Sequence, residues 1–337
     1  MPKPPLTFFT ELNNEELTWL FNQRHVIKDL KALDACLSLG ILDLSEDRAR
    51  VVKILNKAGI PVIAWLLLPE EQGYWFNLDN HEAAIQRYLD FLAWTEKNDL
   101  LWVGIGLDIE PDIREMRQIM EKKRTEKFVS TLLRRLMDKK RVAKAKLAYQ
   151  SLVERIHADG YPVESYHIPL ISEERRANSS VLQRTLGLID LETDREVFML
   201  YSSFFRPNGD ALLWSYAPET DSIGVGNTGG GVDIEGVIDL PPLTWEEFSR
   251  DLRLCVMQGK PIHIFCLEGC VGQEFLSKLK DFDWDEPVGK PGKLHRVKGI
   301  RTGITTGLWL LERPWVILIA LASIIGLGFL FKRSQKE

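Results

Sequence analysis

Residues 102–110 read Trp-Val-Gly-Ile-Gly-Leu-Asp-Ile-Glu, and Pro111 stops the run. Val103, Ile105, Leu107 and Ile109 take alternate positions, the two-residue period of a strand whose side chains point to opposite faces. The other face carries Trp102, Gly104, Gly106, Asp108 and Glu110. One greasy face and one face ending in two carboxylates suit a strand of a parallel barrel. The first packs on outer helices and the second lines an interior whose C-terminal end is the mouth.

Seven other runs share this β-rich character. They are 6–11, 34–41, 60–68, 162–170, 196–204, 221–229 and 261–268. Helix-length stretches separate most of them. Residues 46–58 place Ala49, Val52, Ile54 and Leu55 at helical spacing before Gly59. Residues 81–98 repeat the pattern, and 244–258 open on Thr244 with Glu247 three later, a capping-box spacing. The 205–220 connection is less clearly helical. This alternation predicts an α/β fold, a (β/α)₈ TIM barrel over residues 1–285. A doubly wound sheet would favour a Gly-rich turn after the first strand, and residues 11–16 offer none.

Two stretches exceed a minimal barrel. Residues 113–159 are too long for one barrel helix and are expected to form an extended helical insertion after strand four. Arg114 to Lys146 hold 13 Lys/Arg against 4 Asp/Glu, a balance suited to a solvated helical surface or to anionic lipid headgroups. Residues 315–331 run 17 positions without a charge. At about 1.5 Å rise each they nearly cross a hydrocarbon core of roughly 30 Å. Trp315 marks one edge, and Lys332, Arg333 and Lys336 follow the other. A transmembrane helix at 315–331 is therefore expected, with 286–314 as linker and 332–337 as basic tail. Basic residues nearly balance across it, and no apolar signal core opens the chain, so the barrel is expected on the cytoplasmic side.

The net charge of −5 gives no general case for nucleic-acid binding. Cys36, Cys255, Cys266 and Cys270 lack a zinc spacing and read as idle thiols. The sequence carries no cofactor fingerprint and no metal set is assigned.

Chemistry in such barrels gathers at the C-terminal strand ends. Asp108 and Glu110 lie about 7 Å apart along one face of strand four, and close like charges raise the proton affinity of one member. One acid and one base or orienting group is the pattern that glycoside hydrolysis uses. Gly-Leu-Asp-Ile-Glu at 106–110 resembles the end of the strand-four motif of chitinase-like TIM-barrel glycoside hydrolases, and Met199-Leu200-Tyr201-Ser202 resembles their strand-six Met-x-Tyr-Asp. The resemblance implies Glu110 as proton donor, Asp108 as orienting carboxylate and Tyr201 as hydrogen-bond donor to the reacting centre. The earlier aspartates of the motif fall at Val103 and Gly106, and its strand-six aspartate at Ser202.

Glu11, His167, Asn227 and Glu268 fall at other strand ends, and Trp65, Tyr74 and Trp75 offer flat faces for sugar rings. These seven are the expected substrate-binding residues. Three readings follow: a membrane-anchored glycoside hydrolase-like enzyme acting on a carbohydrate or glycolipid, a non-catalytic sugar- or lipid-binding barrel, or a metal-dependent phosphodiesterase-like barrel using Glu11, Asp108, Glu110 and His167.

Overall fold

The computed structural model describes residues 3–120, 126–230, 241–316 and 319. Eight parallel strands close into a barrel in chain order: β1 (Leu6–Thr10), β2 (Cys36–Ile41), β3 (Val62–Leu66), β4 (Gly104–Ile109), β5 (Val163–His167), β6 (Arg195–Met199), β7 (Ser222–Gly226) and β8 (Ile262–Phe265). Leu6 pairs with Ile262 and Phe8 with Ile264 to close the ring.

Local chemistry sets the helix boundaries. The helix Glu46–Ala58 starts on Ser45, whose hydroxyl accepts from the Arg48 amide at 3.2 Å. It ends on Gly59 at φ 74°, a left-handed cap that costs glycine little. The helix Trp245–Gln258 opens with the full capping box between Thr244 and Glu247. The 205–220 connection is helical over Gly209–Tyr216.

Alternation sorts side chains into two layers. Phe8, Leu39, Leu66, Ile105, Leu107, Ile109 and Phe198 join the core between strands and helices. Phe9, Trp65, Tyr166 and Val197 fill the interior with Tyr74, Trp75 and Ile113. The alternation fails at the first two residues of the 102–110 run. Trp102 packs on Phe91 and Trp94 of the helix His81–Asn98, and Val103 is half exposed. Strand pairing begins only at Gly104, so the pleat does not yet govern these two side chains. Gly106 is held to its size by a neighbour, since a Cβ there would lie 2.3 Å from the Tyr166 hydroxyl.

The stretch 113–159 resolves into Ile113–Met120, Glu126–Leu136 and Lys139–Ala158. The last is a barrel helix, with Tyr149, Leu152 and Ile156 buried in the outer core. The insertion is therefore the two shorter helices alone.

Residues 286–314, expected as a linker, contain the 19-residue helix Leu294–Glu312. It docks on the barrel through one buried cation. The Arg301 guanidinium donates to Glu173 at 2.5 Å, to the Ser215 hydroxyl at 2.9 Å and to Glu219 at 2.5 Å, and lies 3.7 Å over the Tyr216 ring. Gly299, Gly303 and Gly307 lower the local helix propensity, and this docking overrides it. Among the described residues no helix is long and apolar enough to cross a membrane. The expected span 315–331 and tail 332–337 lie outside the described residues apart from 315, 316 and 319.

Gly106→Ala should cost about 1–3 kcal/mol by overpacking against the fully enclosed Tyr166, read as a lower urea midpoint. Arg301→Met should cost about 3 kcal/mol, because it leaves the buried Glu173 carboxylate without its principal partner. Unchanged midpoints would refute each packing argument.

Candidate active site

The acid pair of strand four faces the interior. Asp108, 2% exposed, accepts a hydrogen bond from the Trp65 indole N–H at 3.1 Å through Oδ2. Its Oδ1 is buried without a hydrogen-bond partner. Burial drives the Asp108 pKa well above the usual carboxylate range, and the charges of Glu110 and Glu11 push it the same way. Partly exposed Glu110 follows, its backbone N–H donating to Phe76 O at 3.3 Å. Burial raises its carboxyl to about 7.

Glu11, just beyond β1, is the third acid. The Tyr74 hydroxyl donates to its Oε1 at 2.7 Å. Tyr74 reaches it from a tight turn after β3, where its own φ is 65° and its ring meets Trp75 edge to face at 5.4 Å. The Leu68 amide donates to Tyr74 O at 2.8 Å, and the Phe76 amide to Asp108 O at 2.9 Å. These bonds stitch the turn to the ends of β3 and β4.

Tyr201, just past β6, stacks on Phe265 with ring centres 5.5 Å apart. Burial drives its phenol up, followed in effect by the charges of Asp108, Glu110 and Glu11. Gly224 and Gly226 lie beneath the ring, and a Cβ at either would press on neighbouring backbone first, at 3.0 Å from the Phe198 carbonyl and 2.6 Å from that of Phe265. Phe9 closes the floor, edge-on to Trp65 and Tyr166. Asp108, Glu110, Glu11, Tyr201, Trp65 and Tyr74 thus form one electrostatically coupled group, with Trp75 packed against it. Its titration belongs to the group as a whole.

The remaining expected residues lie elsewhere or serve the loops. His167 is turned to the outer side of β5, away from the mouth. Its nearest acid is Glu196 at 3.9 Å, and burial, followed by the Arg175 charge, lowers its pKa to about 3. Parity explains this, because Tyr166 is the interior residue of that pair. Asn227 shapes the turn after β7, its Oδ1 accepting from the Gly229 amide at 2.7 Å. Glu268 packs beneath Gly230 beside Cys266. Among the described residues no three His, Cys, Asp or Glu side chains are grouped as a metal set, and the four cysteines are free.

Two features escaped the sequence reading. Ser202 donates to the buried Asp251 on the helix Trp245–Gln258. At the opposite end of the barrel, His263 bonds Glu164 Oε2 at 3.0 Å and Ser222 Oγ at 2.8 Å. Those residue types match a nucleophilic triad, but the Ser222 hydroxyl donates to Pro261 O at 2.9 Å, and Arg195 pairs with Glu164 at 2.7 Å. Ser222 and Arg195 begin their strands, so the network belongs to the closed N-terminal end, where residues serve stability. Glu164 was legible as interior by its two-residue spacing from Tyr166.

Two cavities lie away from the acids. The larger, about 400 Å³, is lined by Arg176, Trp214, Glu219, Lys298 and Arg301 beside the helix Leu294–Glu312. The other lies at the start of β3, next to Trp102.

No protein-family model and no curated protein matches the chain. Among solved structures it is similar to a GH18 chitinase from Pseudoalteromonas aurantia, at 10% identity and TM-score 0.46, covering 83% of this chain and 100% of that one. It is also similar to the PgaB (BpsB) glycoside hydrolase domain from Bordetella bronchiseptica, at 9% and 0.49, covering 83% and 99%. An L-ribulose 3-epimerase gives 12% and 0.41, covering 94% and 98%. At such scores these likenesses bear on neither the site nor its chemistry.

Glu110 ionises near 7 in the folded chain, against an ordinary value of 4.5. Its contribution to stability is present below about 4.5 and is lost as pH rises through about 7. Glu110→Gln removes that loss. The variant should gain on the native protein as pH rises across this window, by about 2 kcal/mol at the upper end, measured as the difference in Tm. A pH-independent difference would refute the burial argument.

Proposed function

We propose that the chain is a glycoside hydrolase-like enzyme acting on a carbohydrate, with Glu110 as its general acid. The observation that carries this reading is the enclosed acid group at the C-terminal strand ends, whose partly exposed member holds its proton to about 7. A carboxyl group poised near the working pH both keeps and releases a proton efficiently. In this reading Glu110 protonates the leaving oxygen of a glycosidic bond. Asp108, fixed by the Trp65 indole, orients a polar group of the sugar, and the Tyr201 hydroxyl donates a hydrogen bond at the reacting centre. Glu11, held by Tyr74, stabilises positive charge developing on the ring. Trp65, Tyr74 and Trp75 supply apolar faces to the sugar. The uncharged run 315–331 anchors the barrel to a bilayer, a reading supported by its length and by its flanking Trp315, Lys332 and Arg333.

One observation favours a second reading, a barrel that binds sugar or lipid without turnover. Asp108 and Glu11 are covered in this conformation, at 2% and 8% exposure. The metal-dependent reading loses its imidazole, because His167 lies on the outer side of β5.

Turnover should be measured on a panel of chromogenic glycosides and sugar-bearing lipids. Glu110→Gln should lower kcat by roughly 10²–10⁴-fold with the circular dichroism unchanged. Native kcat/KM should fall as pH rises through about 7, where the acid loses its proton. Equal turnover in the variant would remove Glu110 from the chemistry, and saturable binding without turnover would establish the second reading.

A further inference from the structure

The mouth of the barrel and the C-terminal end of the helix Leu294–Glu312 lie on the same side of the molecule. The helix Lys139–Ala158 begins at the mouth rim. Its Arg141 bonds Asp79 at 2.6 Å, and its Tyr149 hydroxyl donates to Asn77 O at 3.0 Å. Both partners belong to the loop after β3, which carries Tyr74 and Trp75. The helix Leu294–Glu312 finishes beside that rim, where Glu312 pairs with Lys139 at 2.5 Å and with Arg184. Leu136 packs with Leu308, Ile304 and Val181 at the same corner.

The surface of this corner is unusual in kind. Met137 is 77% exposed, and Leu133, Leu311, Trp315 and Ile319 are also exposed. Arg134 and Lys140 stand exposed between them with no ion pair among the described residues. Many of the other cations between 114 and 146 are matched from outside the stretch: Arg117 by Glu70, Arg141 by Asp79, Lys144 by Glu82 and Lys146 by Asp190. Among the described cations of this stretch, the two without an ion pair, Arg134 and Lys140, stand where the apolar side chains are. Apolar residues beside unpaired cations are the composition of a surface that lies in a lipid headgroup layer. The occupant is indicated by the chain itself, which passes from this corner into the uncharged run ending at 331.

We propose that this corner, built from Leu133, Arg134, Met137, Lys140, Leu311 and Trp315, docks on an anionic bilayer and holds the barrel mouth beside it. The substrate class that follows is a sugar carried on a lipid, presented from the membrane surface rather than from bulk solution. The proposal rests on the anchoring role given above to 315–331.

The test uses the full chain in vesicles of phosphatidylcholine and phosphatidylserine whose acyl chains carry bromine near the headgroup. A fluorophore is attached at Met137→Cys or, at the opposite end of the barrel, at Lys57→Cys. Cys36, the one native cysteine that is not buried, is replaced by Ser in both labelled variants. The label at 137 should lose most of its fluorescence and the label at 57 none. Arg134→Gln and Lys140→Gln should each shift the docked-to-undocked ratio by roughly fivefold in the anionic vesicles and leave pure phosphatidylcholine vesicles unaffected. Protein that floats with vesicles yet shows equal quenching at 137 and 57 overturns the docking surface and leaves the anchor standing. Protein that does not float overturns both. Neither result touches the Glu110 assignment, which is decided by turnover.

Discussion

A carboxyl group taken out of water and surrounded by aromatic rings and other acids keeps its proton, and the candidate site depends on that constraint. Asp108 has one hydrogen-bond donor, the Trp65 indole, and two acidic neighbours. Solvation lost by burial is not returned by the single donor, so its charged form is disfavoured. Glu110 is raised to about 7 by burial alone, whereas neighbouring carboxylates add to the effect of burial on Asp108.

The two ends of the barrel treat buried charge in opposite ways. At the N-terminal end Glu164 is met by Arg195 and His263, which hold its carboxyl below the usual range despite burial. A paired charge there binds β5 to β6 and β8. At the mouth no described cation meets Asp108. Unpaired acids are costly to bury, and natural folds retain such costs chiefly where chemistry or binding uses them. This asymmetry separates a stabilising network from a candidate site even though both contain glutamate and tyrosine.

The helix Leu294–Glu312 shows how a few long-range contacts position a segment whose local propensity is poor. Arg301 is satisfied from two barrel helices and the turn after the second, and Glu312 is clamped by two cations. The outcome fixes where the chain leaves the barrel, and so which face of the molecule lies near anything that the C-terminal run enters.

Much of the architecture was legible from the chain alone. Eight β-rich runs, Gly59 ending one helix, the Thr244–Glu247 box and the alternation of Ile105, Leu107 and Ile109 are local signals, and local signals survive into the fold because they act over a few residues. The same alternation located Asp108 inside, and it misassigned Trp102 and Val103 only because pairing starts at Gly104. Strand parity also contained the correction for His167, since it places Tyr166 and not its neighbour inside. What tertiary structure alone decided was which residues meet across the barrel: Tyr74 with Glu11, Trp65 with Asp108, Arg301 with Glu173. Sequence period states the face on which a side chain stands. Only closure of the ring and docking of the helices bring faces from distant segments within hydrogen-bonding distance, and no local pattern encodes those separations.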